Sequence, residues 1–134
     1  MRQETKRCGR RFQSIKAWQR ADALVVLAYG ASRSFPKDEQ YGLASQLRRA
    51  AVSVAANIVE GSSRQSRPEY AHFLSISKAS LNEVAYYFHL ARRLGYVSEP
   101  VFGKLDEAYE ETARTLYGLI QSVSKEETEV LQPA

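Results

Sequence analysis

The sequence has 134 residues, of which 44% are hydrophobic and 25% are charged, and its formal net charge is +4. This length suits one domain that folds without disulfides or metals, and the composition excludes a disordered or low-complexity chain. No apolar run reaches the roughly 18 to 20 residues of a membrane span, and no apolar stretch of a secretory signal follows the charged N-terminus. We therefore expect a cytoplasmic protein with no membrane partner. Its single cysteine, Cys8, fits a reducing compartment.

The first eleven residues form a basic arm, which we expect to be flexible. Basic side chains neutralise phosphates and release counterions, so the arm and the start of the first helix are the predicted nucleic-acid-binding region. The residues are Arg7, Arg10, Arg11, Lys16 and Arg20. Acidic residues concentrate after Asp106, so head-to-tail electrostatics between subunits remains an alternative use of the basic end. Trp18, Tyr29 and Tyr41 could stack on bases, although aromatic residues at helical spacing are more often part of a core.

Two helical segments are predicted in the first half of the chain. The first follows steps of three and four from Ile15 to Ser32 and ends before Pro36. The second runs from about Asp38 to Glu60. Gly61, directly after it, is interpreted as its C-terminal cap.

Two more helices are predicted in the second half. Ser66 and Glu69 form a capping box at the start of the third, which we expect to end near Leu94. A sustained seam of period 3.5 along this helix favours near-parallel packing against a neighbour. The seam residues are Tyr70, Leu74, Ser77, Leu81, Val84, Phe88 and Ala91. The fourth helix is predicted from about Glu99 to Ser124.

Short connections between long amphipathic helices make sequential helices antiparallel neighbours. The sequence therefore predicts an all-α fold, an antiparallel up-down-up-down four-helix bundle over residues 12–124, followed by an acidic flexible tail over residues 125–134. No strand pattern or internal repeat competes with this interpretation.

The second helix carries two apolar faces. One face is the natural core face of a bundle and consists of Leu47, Ala50, Val54 and Ile58. The second lies about a third of a turn away. Its members are Ala44, Arg48, Val52, Ala55 and Val59. Because one stripe is enough for a surface helix, we interpret the second face, including Arg48, as a subunit interface covered by another copy of the chain.

A polar seam follows the same helix at steps of three and four. It consists of Arg49, Ser53, Asn57, Glu60 and Arg64, and Ser80 and Glu83 of the third helix are candidate partners. Polar side chains inside an apolar run need partners when they are buried. We interpret the seam as an internal hydrogen-bond network in which Arg49 pairs within the protein. A ligand or catalytic site at the seam is the alternative.

Enzyme and metal motifs are scarce. The chain has no Gly-rich phosphate loop and no paired cysteines. Glu69 and His72 have the E-x-x-H spacing of carboxylate-bridged di-iron bundles, but the residues before His89 are aromatic and supply no second motif. We expect no catalytic residues, no metal site and no cofactor.

Several stretches resemble a known bacterial family of four-helix-bundle proteins, first described as proteins encoded in intervening sequences of 23S ribosomal RNA. They are "FP" at 35–36, "YGLASQLRRAAVSVAANIVEG" at 41–61, "EYAHFLSIS" at 69–77, "SLNEV" at 80–84 and "LGYV" at 94–97. The resemblance spans roughly residues 12 to 123. One departure is Ala79, where many relatives carry glycine.

The resemblance implies a ring-shaped homopentamer without enzymatic activity. It also implies association with structured RNA or, as in distant accessory proteins of diversity-generating retroelements, with a reverse transcriptase and nucleic acid. Our leading hypothesis is a non-enzymatic oligomeric helical scaffold that binds structured RNA or a ribonucleoprotein through a basic surface. The alternative is a protein adaptor ring, accessory to a polymerase or reverse transcriptase, that does not touch nucleic acid itself.

Overall fold

The structure is a computed structural model that describes residues 11–131, with side chains from residue 12 to residue 125. Within that range the chain forms no strand. It forms four α-helices, α1 (Lys16–Ser32), α2 (Leu43–Ser62), α3 (Arg67–Arg93) and α4 (Glu99–Leu131), and short 3-10 helices at Arg11–Ser14 and Lys37–Glu39. The predicted all-α class is confirmed. None of these helices combines the length and the apolar character that crossing a membrane requires.

The predicted start of the second helix at Asp38 is wrong, because α2 begins only at Leu43. Gly42 interrupts the helical path with φ −108° and ψ −111°, well outside the α region. The Glu39 carboxylate lies over this point, since its Oε1 accepts a hydrogen bond from Leu43 N at 3.4 Å. A Cβ at position 42 would lie 2.7 Å from the same oxygen, so the carboxylate and a side chain could not share this space.

The interpretation of Gly61 as a helix cap is also wrong. Helix α2 continues through Gly61 to Ser62, and the positive φ typical of such a cap occurs at Gly95 alone among the described residues. A Cβ at Gly61 would lie 2.9 Å from Tyr70 Cδ1 and 3.0 Å from Phe73 Cβ. The glycine therefore allows close approach between α2 and α3.

Both predicted ends of the third helix are confirmed. Ser66 Oγ accepts a hydrogen bond from Glu69 N at 3.3 Å and caps the start of α3. At the other end Gly95 adopts φ 75°, and Gly95 N and Tyr96 N donate to the carbonyls of Arg92 and Ala91 at 3.0 and 2.9 Å. This Schellman pattern satisfies the last carbonyls of the helix.

Helix α4 continues to Leu131, past its predicted end at Ser124. Lysine and glutamate dominate the residues directly after Ser124, and no proline occurs between Ser124 and Pro133. Both residue types have high helix propensity, so nothing local stops the helix at Ser124.

The apolar faces of the four helices meet in one core. Helix α2 packs against α1 and α3, and α4 packs against the same two helices. The predicted core face of α2 and the α3 seam from Leu74 to Ala91 are buried, which confirms both. Among the largest fully buried side chains are Leu24, Leu47, Ile58, Leu74 and Leu116.

Hydrogen bonds between α2 and α3 show how these two helices run. Tyr87 of α3 bonds to Gln46 of α2 at 2.9 Å, whereas Ser77 Oγ, further back in α3, donates to Val54 O at 2.7 Å. Because rising numbers in α2 meet falling numbers in α3, the two helices are antiparallel. The N-terminal end of α2 therefore lies beside the C-terminal end of α3.

Candidate nucleic-acid interface

Arg48 is held by side chains that precede α2 in the chain. Its Nε donates to Ser32 Oγ at 2.7 Å, and its Nη2 donates to Gln40 Oε1 at 3.3 Å. The guanidinium also lies over the Tyr29 ring, 5.4 Å from the centroid. The side chain that we expected at a subunit interface is thus engaged by the end of α1 and the connection to α2.

The partners of Arg48 are themselves fixed. The Ser32 hydroxyl is buried and donates to Tyr29 O at 3.1 Å, which leaves its lone pairs for Arg48. The amide nitrogen of Gln40 donates to the carbonyls of Ser32 and Phe35 at 3.2 and 3.1 Å, so the amide oxygen faces Arg48. The guanidinium is therefore held in one position before any ligand arrives.

Arg49 has a contrasting environment, although it follows directly in the sequence. Its side chain is exposed and pairs with no side chain between residues 12 and 125. Its expected pairing within the protein is therefore absent from this range. Tyr41 resembles it in this respect, because its side chain is 98% exposed.

Arg48, Arg49 and Tyr41 line one open concavity of about 610 Å³ on the α1–α2 side of the molecule, within the usual size of ligand pockets. Its lining comprises Tyr29, Gln40, Tyr41, Ser45, Arg48, Arg49, Val52 and Ser53. None of these residues is acidic, and arginine keeps its proton at any physiological pH. The concavity, hereafter the arginine concavity, therefore presents two positive charges with no counter-charge in its lining.

A second concavity of about 590 Å³ lies on the other side of Arg49 and shares Tyr41, Ser45 and Ser53 with the first. Unlike the arginine concavity it contains a carboxylate, that of Glu83. The Tyr87 hydroxyl lies 2.9 Å from Gln46 Oε1 and 3.4 Å from Glu83 Oε2. Burial, and then the Glu83 charge, raise the pKa of Tyr87. An anionic ligand is therefore favoured on the Arg48 side of Arg49.

The predicted polar seam divides into separate groups. Ser53 Oγ lies 2.7 Å from Ser80 Oγ, and Asn57 Nδ2 donates to Ser53 O and Oγ at 2.8 and 3.0 Å. Glu60 instead pairs with Arg64 at 3.0 Å on the surface. Arg49 and Glu83 belong to neither group. The seam residues thus do not converge on one site, and neither concavity is lined by Asn57, Glu60 or Arg64.

The second apolar face of α2 is partly covered within the chain. Ala55 is buried, Val59 is half-buried, and Val52 remains 41% exposed at the edge of the arginine concavity. Helix α1 adds Val26, which is 66% exposed. The uncovered apolar surface is therefore smaller than the helical wheel indicates, because α1 and α3 both pack on α2.

The structure describes only some of the basic residues predicted to bind nucleic acid. Arg7, Arg10 and the Arg11 side chain lie outside the described residues. Lys16 is exposed in the first turn of α1. Arg20 Nε lies 3.4 Å from Glu111 Oε2 of α4, so an acid partly offsets its charge.

Sequence reasoning missed the partners of Arg48 and underrated two aromatic residues. Trp18 packs edge-on against Phe12 with the ring centroids 4.9 Å apart, whereas Tyr29 and Tyr41 are exposed. The glycine after Tyr41 marks a turn, which is a signal that this aromatic lies off any helical face. The contact between Ser32 and Arg48 joins positions 16 residues apart and leaves no local signal.

Among the side chains that the structure describes, those of residues 12–125, no three His, Cys, Asp or Glu are grouped to hold a metal ion. His72 is exposed, and its ring lies against Phe73 at 5.6 Å between centroids. What the arginine concavity can do chemically is bind an anion and stack an aromatic ring.

Comparison with known proteins places this geometry in context. A family model described as 23S rRNA-intervening sequence protein matches residues 13–118. The fold is similar to a crystal structure of a protein of unknown function from the S23 ribosomal protein family of Bacteroides thetaiotaomicron, with a TM-score of 0.72 and 21% identity. The match covers 78% of this chain and 95% of that one. Comparison with curated proteins gives no match.

Proposed function

The chain belongs to the 23S rRNA-intervening sequence protein family, and from this premise we propose a non-enzymatic, homo-oligomeric helical scaffold that binds structured RNA or a ribonucleoprotein. The observation that carries the proposal is the arginine concavity, in which Arg48 and Arg49 lie beside exposed Tyr29 and Tyr41 with no acidic residue in the lining. Arginine binds phosphate oxygens, and tyrosine rings stack on bases, so the two together suit RNA.

The basic arm is the second part of the proposed RNA-binding surface. Arg7, Arg10 and Arg11 precede Lys16 in the chain, and we assign all four to phosphate contacts. Lys16 begins α1, and Arg48 contacts the residue that ends it. A helix of 17 residues spans about 25 Å at 1.5 Å per residue. The arm and the arginine concavity would therefore engage different segments of one folded RNA.

We propose further that the helices follow an up-down-up-down order and that copies of the chain form a ring, a homopentamer by family resemblance. Val52, Val59 and Val26 supply the uncovered apolar surface for the subunit contact. A ring presents several copies of a weak site together and raises the overall affinity without any new contact. We place this assembly in the cytoplasm.

Salt dependence tests the RNA proposal directly. Filter binding of the full chain to a structured RNA should weaken steeply between low and physiological salt, because displaced counterions drive binding. Changing Arg7, Arg10 and Arg11 together to alanine should lower affinity and reduce the slope of log affinity against log salt by about two to three units. A wild-type chain that binds no structured RNA at low salt would remove the proposal.

A protein adaptor is the second candidate, and a different surface favours it. A smaller concavity of about 210 Å³ between α3 and α4 is lined by Leu81, Tyr109, Leu116, Tyr117 and Ile120, among others. Tyr117 is 60% exposed at this place. Exposed aromatic residues beside an apolar recess are typical of protein contacts. A polymerase or nuclease recovered with the chain after nuclease treatment, and lost with Tyr117→Ala, would favour this candidate over RNA binding.

A further inference from the structure

Arg49 differs from four arginines of the described chain that are paired with acids. Arg20, Arg64, Arg92 and Arg114 each have a carboxylate within 3.4 Å. Arg49 has no partner among the described side chains, although it occupies the middle of the N-terminal half of α2. Its charge is thus available to a ligand in a way that those charges are not.

Tyr41 combines with Arg49 to offer a second type of contact. Its ring is 98% exposed, and its side chain makes no hydrogen bond within the described chain. Tyr41 lies in the turn that precedes Gly42, outside every helix. Its ring therefore stands clear of helical neighbours and can receive a flat aromatic group on its face.

Arg48 supplies the fixed part of the site. Its contacts to Ser32 and Gln40 use two of its five N–H groups, and the side chain still lines the concavity. A guanidinium whose position is already set loses little conformational freedom on binding. The site thus holds one positioned cation, one exposed cation without a described partner and one exposed ring around a volume of about 610 Å³.

We propose that the arginine concavity binds a single unpaired nucleotide of an RNA, with its base on the Tyr41 ring and its phosphate between Arg48 and Arg49. The inference rests on the proposed RNA-binding function and gives its ligand at this site. A paired base is stacked inside its helix and cannot reach Tyr41, whereas a base in a loop or bulge can be turned out. The protein therefore selects RNAs with unpaired residues over uninterrupted duplexes.

The charge of the lining separates this ligand from an apolar partner. Two guanidinium groups without an acid repel a cationic surface and give an uncharged peptide no reason to displace their water. The neighbouring concavity has Glu83, which repels a phosphate and so directs it to the Arg48 side. A nucleotide supplies both the anion and the flat ring that the lining fits.

Fluorescence polarisation with two labelled RNAs tests the proposal. The probes are a hairpin with an unpaired loop and a fully paired duplex of equal length. For the full chain we expect tighter binding to the hairpin. Arg49→Gln and Tyr41→Ala should each weaken hairpin binding by about tenfold and change duplex binding by less than about twofold. Tyr41→Phe should retain hairpin binding, because stacking needs the ring and not the hydroxyl.

Arg114→Gln is the matched control, since it removes one exposed arginine of α4 that does not line the concavity. It should leave the preference for the hairpin unchanged. Equal losses on both probes with Arg49→Gln, or no loss with Tyr41→Ala, would overturn the nucleotide site. A changed native mass in either variant would overturn it in favour of a contact with a second copy of the chain.

Different results would remove RNA binding as a whole and the nucleotide site alone. If the wild-type chain binds neither probe at low salt, RNA binding itself is removed, and the nucleotide site with it. If the wild-type chain binds both probes equally and the variants do the same, RNA binding stands and the nucleotide site does not. Circular dichroism of each variant verifies the fold, which substitutions at these exposed positions should leave intact.

Discussion

The two ends of α2 carry similar residues in opposite surroundings. At the C-terminal end Gly61 lets Tyr70 and Phe73 of α3 approach, and Arg64 is paired with Glu60 and lies 4.7 Å from the Phe73 ring centroid. At the N-terminal end Arg49 has no such partner. Position relative to the helix therefore does not decide whether a charge is available. Arg64 is engaged because Glu60 of α2 and Phe73 of α3 both reach it, whereas no described acid or ring makes such a contact with Arg49.

Arg48 and Arg49 repeat the same contrast between two adjacent residues. They point about 100° apart on the helix, so one meets Ser32 at the end of α1 and the other meets solvent. One arginine thus contributes to the fold, and the other has no partner among the described side chains. Because only Arg48 is held by the fold, the proposed binding site at the N-terminal end of α2 can use Arg49 without weakening the core.

The C-terminal end of α2, where Gly61 packs against α3, should respond most strongly to substitution. Gly61→Ala places a Cβ at 2.9 Å from Tyr70 Cδ1, and we expect it to lower the free energy of unfolding by about 1–3 kcal/mol through overpacking. Urea unfolding followed by circular dichroism measures the change. Gly118→Ala is the control, because a Cβ there meets no atom within 4 Å, and it should stabilise the chain by up to about 1 kcal/mol. If Gly61→Ala were as stable as wild type, the tight contact between α2 and α3 at this position would be contradicted.

The contrast between the two adjacent arginines predicts a smaller effect. Lysine offers a single nitrogen in place of the separate Nε and Nη2 that reach Ser32 and Gln40, and it does not stack on Tyr29 as a planar group. Arg48→Lys should therefore lower the free energy of unfolding by about 1–2 kcal/mol, a value reduced by partial exposure of the site. Arg49→Lys should change it by less than about 0.5 kcal/mol. Equal effects of the two substitutions in urea unfolding would contradict the division of roles.

The ion pair between Glu60 and Arg64, at the C-terminal end of α2, should contribute still less to the free energy of unfolding. Glu60 lies in the last turn of α2 and Arg64 lies just beyond its end. Both side chains are exposed, and exposed ion pairs contribute about 0.2–1 kcal/mol. Glu60→Gln should cost no more than this at low salt and nothing at high salt, where the charges are screened. Thermal unfolding at two salt concentrations measures both values. A larger loss that persists in high salt would mean that Glu60 acts in the fold rather than as a surface charge.

The last expected effect is a loss of stability in alkaline solution. It comes from a hydrogen bond near the N-terminal end of α2. The Tyr96 hydroxyl donates to Glu39 Oε2 at 2.9 Å, and this hydrogen bond, ahead of burial, raises the pKa of Tyr96 above its ordinary value of 10.0. The folded state therefore holds this proton more tightly than the unfolded state does. Its stabilising contribution is complete below about pH 10 and is lost as the pH rises through the folded pKa. Urea unfolding across this pH range should show the loss in wild type and a smaller one in Tyr96→Phe.

Glu39→Gln provides the companion measurement for Tyr96. It removes the charged acceptor and keeps the shape of the side chain, so the alkaline loss of stability should shrink as it does in Tyr96→Phe. A full alkaline loss in both variants would assign the effect to other tyrosines. Tyr87 is one, since burial and Glu83 raise its pKa.

Helix identity and most helix ends could be predicted, because their causes lie within a few residues. The seam of α3 follows from its period, and Ser66 and Gly95 end that helix through backbone hydrogen bonds that are local. Gly61 was misinterpreted because its cause is not local. A glycine after a helical run is typical of a cap, but here the aromatic residues of α3, nine and twelve positions later, require its lack of a side chain.

The candidate site could be predicted only in part. Its arginines and tyrosines were visible as residue types, yet the sequence pattern favoured the arm for binding and assigned Arg48 to a subunit contact. The structure shows Arg48 bonded to Ser32 and Gln40, contacts that depend on where α1 ends relative to α2. It also separates Arg49 from the Ser53–Ser80 pair, although both belong to one face by spacing.

The sequence by itself determined the all-α class, the core faces and the positive charge near the start of α2, because periodicity and composition act along the chain. Only the tertiary structure decided which of two neighbouring arginines is held and which is free. That choice depends on groups brought together from distant positions: the Ser32 hydroxyl meets Arg48, and no described acid lies within ion-pair distance of Arg49. Pairing a charge requires a partner within about 4 Å in space, and spacing along the sequence does not report such distances between helices.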